Sequence, residues 1–157
     1  MSNILKEVIA FILKQYPYKD DLSNARMTKI IYLADWHQAI NYKKQITNIN
    51  WYFDNYGPFV QDVINEVNAN PNLFGIKNTN NYYGGTKNLF FLKLDNYEPI
   101  EIAERQKESL CYIIEITKTL TWDNFINLVY STYPITSSER YSYLNLVQKA
   151  NEYARGT

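Results

Sequence analysis

The stretch that decides the fold is MTKIIYLADWHQAINYKKQI, residues 27–46, followed by INWYFDNYGP, residues 49–58. Apolar residues recur in the first segment at helical spacing, which predicts an amphipathic helix with one buried face. The second segment predicts a short aromatic strand and a tight turn, in which Gly57 can adopt a positive φ. Pro58 suits the first turn of a following helix, because its missing N–H would have no partner there.

The residues of this stretch divide into two predicted roles. One group builds the buried helix face and the rigid turn: Met27, Ile30, Ile31, Gly57 and Pro58. The other group is predicted to contact a partner protein: Tyr32, Trp36, His37, Trp51 and Tyr56. Tyr and Trp are enriched at interface hot spots, which supports the second assignment. Packing of the aromatic residues in the core is the competing interpretation.

Length and composition limit the class of protein. The chain has 157 residues, which predicts a single domain over residues 1–157. Its formal net charge is +0. Proteins that neutralise many phosphates carry a basic excess, so nucleic acid is disfavoured as the main partner, although a local basic face is compatible with this balance.

The cysteine content and the N-terminal segment indicate where the protein works. The single cysteine, Cys111, cannot form an internal disulfide, and a reducing cytoplasm fits best. The uncharged run Val8–Leu13 is far shorter than the ~20 residues that a membrane span requires. We therefore expect a cytoplasmic protein without a membrane partner or a secretory signal.

The order of apolar patterns and turn signals predicts an α+β fold, a mainly helical single domain with a small antiparallel sheet. About six helices are predicted. The first ends near Gln15, and the others span Ser23–Asn41, Pro58–Asn70, Ala103–Leu120, Trp122–Ser131 and Tyr141–Tyr153. About three short strands are predicted: Ile49–Phe53, Leu73–Lys77 and Leu89–Leu94. The last two strands form a hairpin around the polar loop Asn78–Lys87. Because the strands do not alternate regularly with helices, parallel βαβ units are not expected.

No catalytic, metal-binding or cofactor-binding site is predicted. His37 is the only histidine, and Asp35, two positions away on the same helix, does not face it. Cys111 lies in a helical pattern and is interpreted as a small buried hydrophobe rather than a nucleophile. A hydrolase that uses His37 with Asp35 or Asp62 is an alternative, but no set of nucleophile, base and orienting group can be assembled.

The residues also carry a family resemblance. The segment MTKIIYLAD, Met27–Asp35, is similar to the K-L-x-K-L-x-Y-x-A helix of antitoxin SocA-like proteins, also known as Panacea-domain or DUF4065 proteins. Tyr56-Gly57-Pro58 resembles the (Tyr/His)-Gly-Pro turn that follows this helix in the family. Met27 stands where the family usually has Leu. The resemblance covers about Ser2–Asn70, and the C-terminal helices match only in general layout.

The resemblance implies an antitoxin that neutralises a partner toxin by direct protein contact, in some members within a phage or mobile element. It implies no enzymatic activity and no cofactor, and it leaves the toxin unnamed because family members pair with unrelated toxins. The alternative function is a nucleic-acid-binding regulator, in which the hairpin would act as the wing of a winged helix. Lys77, Lys87 and Lys93 would then lie on that wing.

Overall fold

A computed structural model describes residues 4–80 and 86–156. Within these ranges it contains seven α-helices, one short 3-10 helix at Lys19–Asp21 and two small antiparallel sheets. The helices are α1 Ile4–Gln15, α2 Asn24–Tyr42, α3 Asp62–Ala69, α4 Glu104–Thr117, α5 Trp122–Tyr130, α6 Tyr133–Thr136 and α7 Leu146–Gly156. The strands are β1 Phe53–Asp54, β2 Gly57–Pro58, β3 Phe74–Asn80 and β4 Thr86–Leu92. The predicted α+β class with mainly helical content is confirmed.

Helix α2 is the central element of the molecule. It begins at the N-cap Ser23, whose hydroxyl accepts from the amide of Arg26 at 3.2 Å, and it ends at Lys43 in the left-handed conformation. It packs against α4 and α7, and it also contacts α3 and β4. Every residue from Arg26 to Trp36 is buried. The prediction of one buried face was therefore too narrow, because neighbouring elements cover α2 on all sides.

The buried polar residues of α2 each have partners in the interior. Arg26 donates to the backbone carbonyls of Thr117 and Leu120, at the end of α4, at 2.9 and 3.0 Å. Gln38 donates to the carbonyl of Arg105 and to the hydroxyl of Ser109. Such bonds replace those that water would make, so polar side chains can be buried around the whole helix.

Two hairpins replace the predicted sheet. Strands β3 and β4 pair from Phe74 opposite Leu92 to Asn80 opposite Thr86, which confirms the predicted hairpin and lengthens it. Both strands extend into the predicted loop Asn78–Lys87, and residues 81–85 of that loop lie outside the described residues. Phe74 and Phe90 lie on the buried face of this hairpin.

The first hairpin was not predicted, because the sequence indicated a strand followed by a turn and a helix. The predicted strand Ile49–Phe53 is wrong in its bounds, because only Phe53 and Asp54 form β1. The prediction that Pro58 starts a helix is also wrong. Pro58 lies in β2 opposite Phe53, and α3 begins at Asp62. The segment before β1 is not a regular strand, since its side chains and backbone hydrogen-bond to α2 and to the C-terminal part of the chain.

The C-terminal region contains more helical elements than the sequence predicted. Thr121 caps α5 by accepting from the amide of Asn124 at 3.2 Å. Helix α5 ends at Tyr130, and Tyr133-Pro134 begins the short helix α6. The final helix was predicted from Tyr141, but α7 starts at Leu146 because the preceding residues pair with the first hairpin. Cys111 is exposed on α4, so its prediction as buried was wrong.

Candidate protein-binding surface

The loop that follows α2 is anchored by the carboxylate of Asp35. This carboxylate accepts from the amides of Ile46 and Thr47 at 2.9 and 3.0 Å, and from the Thr47 hydroxyl at 2.6 Å. It also accepts from the indole N–H of Trp51 at 2.9 Å and from the side-chain amide N–H of Gln45 at 3.2 Å. Five donors thus converge on one buried group, which fixes the path of the chain into the first hairpin.

Residues 141–144 pair with the first hairpin. The amide of Phe53 donates to the carbonyl of Ser142 at 2.9 Å, and the amide of Leu144 donates to the carbonyl of Trp51 at 2.8 Å. An antiparallel bridge joins Tyr52 to Tyr143. The first hairpin and the returning chain therefore form one small ribbon, although the two parts are far apart in sequence.

Four tyrosines project from this ribbon, and we call them the tyrosine surface: Tyr52, Tyr56, Tyr141 and Tyr143. Tyr56, Tyr143 and Tyr141 are 79%, 66% and 60% exposed, and Tyr52 is half-buried. The rings of Tyr52 and Tyr143 meet edge to face at 5.1 Å. The hydroxyl of Tyr141 bonds to Asn55, beside Tyr56 in the turn. The four tyrosines therefore lie on one ribbon, and two of them, Tyr52 and Tyr143, are in direct contact.

Two residues of the ribbon have unusual backbone conformations. Gly57 has φ +98°, which glycine adopts without the steric penalty of a side chain. Tyr141 has φ +69°, an uncommon value for a bulky residue, with a cost on the order of 1–3 kcal/mol. The hydrogen bonds of the ribbon hold Tyr141 in this conformation, and strained residues of this kind cluster at functional sites.

Two open depressions flank the tyrosine surface. One has a volume of about 350 Å³ and the other about 660 Å³, and both are lined by Asn50 and Tyr143. Tyr offers a rigid ring with a polar end, and Asn offers both a donor and an acceptor, which is the combination that antibody paratopes use. The surface therefore has the relief and the chemistry to accommodate side chains of another protein.

A buried lysine lies behind the turn. Lys29 of α2 places its ammonium 5.7 Å from the ring centre of Phe59, which follows β2. Burial lowers the pKa of Lys29 to about 8, and the charge of Asp54 partly opposes this shift. The ammonium thus connects the central helix to both ends of the first hairpin, a role that the helical pattern alone did not reveal.

The structure separates the five residues that the sequence assigned to partner contact. Tyr56 is on the tyrosine surface. Tyr32 and Trp51 are fully buried and meet edge to face at 5.5 Å, and Trp36 is buried against Tyr153. These three positions follow the competing interpretation, core packing. Met27, Ile30 and Ile31 also lie in the core.

His37 lies on another side of α2 from Asp35. Its Nδ1 hydrogen-bonds to the hydroxyl of Ser109 at 2.6 Å, and its ring stacks on Tyr112 at 4.8 Å. Burial lowers the pKa of His37, which favours the neutral imidazole. Because Ser109 is buried and also accepts from Gln38, its hydroxyl is not open to a substrate. The hydrolase alternative therefore gains no geometric support.

Sequence reasoning assigned only Tyr56 of the tyrosine surface to partner contact and missed the other three residues. Tyr141 and Tyr143 were included in the last predicted helix, where they would be two positions apart and on different faces. The available signal is the alternation in Tyr141-Ser142-Tyr143, because side chains two positions apart share one face of an extended strand. Three residues are too few for such a pattern to compete with the neighbouring helical spacing.

The lysines of the winged-helix alternative have different surroundings. Lys77 and Lys87 share one face of the second hairpin, as the register shows. Lys87 lines a cavity described below, and the ammonium of Lys93 donates to the carbonyl of Pro71 at 2.8 Å. The hairpin that this alternative requires is present, but Lys93 is directed to its own chain.

The sequence model of the antitoxin SocA-like, Panacea domain family matches residues 27–134 of this chain. This match covers more than half of the 157 residues, so the chain belongs to that family. Comparison with curated proteins and with solved structures found no match. Tyr52 and Tyr56 lie inside the matched range, whereas Tyr141 and Tyr143 lie beyond it.

Membership in this family indicates an antitoxin-like function, a protein partner in general and a non-catalytic role. No group of three or more His, Cys, Asp or Glu side chains within residues 4–80 and 86–156 is arranged to hold a metal ion. In the same part of the chain, no helix has the length and apolarity needed to cross a membrane.

Proposed function

We propose that this protein neutralises a partner toxin by binding it directly through the tyrosine surface. The observation that carries the proposal is the set of four tyrosines on one hydrogen-bonded ribbon, three of which are exposed. Tyrosine is enriched at interface hot spots, because it combines a large contact area with a hydroxyl and few rotatable bonds.

The size of the molecule supports this role. A stable interface buries about 800 Å² on each partner. The accessible surface of the described chain is 8715 Å². The tyrosine surface and its two depressions can form the centre of such an interface, with Tyr56 and Tyr143 as the most exposed anchors. Ribbon hydrogen bonds order these anchors before binding, which reduces the entropy that association must offset.

The test is co-expression of the protein with the product of the adjacent open reading frame. We expect a complex that co-purifies and rescue of growth from toxicity. The double variant Tyr56→Ala/Tyr143→Ala should weaken the complex by at least about 30-fold in Kd, since each residue is predicted to be a hot spot.

Tyr112→Ala is the matched control, because Tyr112 is also an exposed tyrosine but lies on α4. This variant should retain binding and rescue. A complex that tolerates the double change and loses affinity with Tyr112→Ala would refute the assignment of the surface. Failure of both co-purification and rescue for the wild type would refute the function itself.

A further inference from the structure

A cavity lies away from the tyrosine surface, where the N-terminal ends of α2 and α5 meet the end of α4. Its volume is about 810 Å³, within the range of small-molecule sites. Ser23 and Ala25 line it at the start of α2, and Thr121 and Trp122 line it at the start of α5. Both helices therefore direct the positive ends of their dipoles towards this region.

A buried arginine at this cavity has an unused donor. Arg26 is only 4% exposed and lines the cavity. Its Nε donates to the Tyr16 hydroxyl at 3.1 Å, and its Nη2 donates to the carbonyls of Thr117 and Leu120. Its Nη1 has no hydrogen-bond partner and its charge has no ion pair among the described residues. No fully buried side-chain nitrogen of the described residues lacks a partner, so Nη1 retains accessible surface, and Arg26 lines the cavity.

The remaining lining combines positive charge with apolar surface. Lys87 and Lys118 add two ammonium groups, and Asp21 contributes the one carboxylate among the lining residues. Lys118 also pairs with Glu115 at 2.9 Å. The cations thus exceed the single lining carboxylate, which favours an anion at the mouth of the cavity.

The apolar wall indicates the rest of the ligand. Trp122 and Tyr18 line the cavity with exposed rings, beside Leu120 and Ala25. Exposed aromatic rings next to a cationic group are the elements with which proteins bind a base and its phosphate. A free inorganic anion would leave this wall unused.

We propose that the cavity binds a nucleoside phosphate, with the phosphate at Arg26 Nη1 and the two helix N-termini and the base against Trp122. The phosphate is favoured over a single carboxylate because it carries more charge and more acceptor oxygens for the donors that converge here. This site is independent of the proposed toxin contact, since none of its lining residues belongs to the tyrosine surface.

The experiment is isothermal titration calorimetry of the full chain with AMP, GMP, adenosine and inorganic phosphate. We expect at least one nucleotide to bind with a Kd below about 1 mM, with adenosine and phosphate each at least about tenfold weaker. No heat with any nucleotide, or equal binding of inorganic phosphate, would overturn the proposal. Tighter binding of a short acidic peptide containing tryptophan would overturn it in favour of a peptide site.

Variants locate the site without removing the buried arginine. Lys118→Gln and Trp122→Leu should each weaken nucleotide binding by about tenfold. Lys107→Gln is the matched control. Lys107 lies on α4, and Lys118 follows the end of that helix. Each of the two lysines pairs with a glutamate three residues earlier. Binding that responds equally to Lys107→Gln and Lys118→Gln would place the nucleotide elsewhere.

Discussion

At the scale of single residues, Asp35 shows how a buried charge can organise a loop. Burial raises the pKa of Asp35 to about 6, while hydrogen bonds from Thr47, Trp51 and Ile46 oppose the shift. Above that pH the carboxylate is an acceptor for each of these donors. The ionised Asp35 carboxylate can bind all of these donors because it has no hydrogen-bond donor of its own. An asparagine side chain at this position would carry an NH₂ donor.

We expect Asp35→Asn to destabilise the fold by about 2–4 kcal/mol at pH 7.5, because the new NH₂ group would face donors rather than acceptors. Urea unfolding followed by circular dichroism measures the loss. Asp95→Asn, an exposed aspartate, is the control and should change the free energy of unfolding by less than about 0.5 kcal/mol. Equal effects of the two variants would contradict the role of Asp35.

Lys29 predicts a pH dependence of stability with a definite sign. The pKa of Lys29 is about 8 in the folded chain, whereas a lysine in an unfolded chain has a pKa of 10.5. Between these two values the unfolded chain binds more protons, so the contribution of Lys29 to the free energy of unfolding rises with pH. Below pH 8 the full cost of burying the ammonium is present.

Lys29→Met removes this titration. We therefore expect the variant to gain stability relative to the wild type at pH 7, and this advantage to shrink by about 1–3 kcal/mol by pH 10. Urea unfolding at intervals between pH 7 and pH 10 measures the difference. Lys107→Met, at an exposed position, should show no such trend. A constant difference for Lys29→Met would mean that Lys29 does not titrate in this window.

At the scale of elements, two glycines in the two hairpins should respond differently to substitution. Gly57 has φ +98°, and a methyl group there would meet the Tyr130 ring at 3.5 Å. Gly57→Ala should therefore cost about 1–3 kcal/mol and weaken toxin binding, because the strained turn carries Tyr56. Urea unfolding and the toxin-binding assay measure the two effects.

Gly75→Ala is the comparison within the second hairpin. Gly75 has an ordinary φ, and a methyl group there would lie 2.2 Å from the outer end of the Phe91 ring. Phe91 is exposed and can rotate away, so we expect a smaller loss than for Gly57→Ala and no change in toxin binding. A larger loss for Gly75→Ala would show that the Phe91 contact outweighs the backbone strain at Gly57.

The central helix shows why its surroundings could not be predicted from sequence. The apolar spacing correctly located α2 and its buried Met27. The buried polar residues Arg26 and Asp35 were not part of the predicted buried face, because a single sequence does not reveal that Thr117 and Thr47 supply partners from elsewhere. Tertiary hydrogen bonds decided which aromatic residues were buried. The residues that these bonds join are far apart in the sequence or lie on different faces of their elements.

The same limit applies to the candidate site, because only its local contacts could be predicted from the sequence. Tyr56 could be predicted because Asn55, Tyr56 and Gly57 form a local turn. Tyr143 could not, since its place beside Tyr52 depends on a bridge between segments separated by more than half the length of the chain. Local turn chemistry is encoded in neighbouring residues, whereas a surface assembled from distant segments requires their pairing to be known.

At the scale of the whole molecule, the balance of charge separates the two functions that the sequence left open. The formal net charge is +0, and the tyrosine surface is made of uncharged side chains. Toxin binding through such a surface gains its free energy from ring burial and hydrogen bonds, which salt screens little. Binding to nucleic acid would gain much of its free energy from the release of counterions, which salt opposes strongly.

We therefore expect the Kd of the toxin complex to change by less than about threefold between 50 and 200 mM NaCl, measured by isothermal titration calorimetry. A nucleic-acid complex with six or more phosphate contacts would lose about 10³–10⁵ in affinity over the same range. Tyr56→Ala/Tyr143→Ala should weaken the toxin complex equally at both salt concentrations, because the lost contacts are uncharged. A steep salt dependence, together with a gel shift on DNA that Lys77→Gln reduces, would favour the winged-helix function over toxin binding.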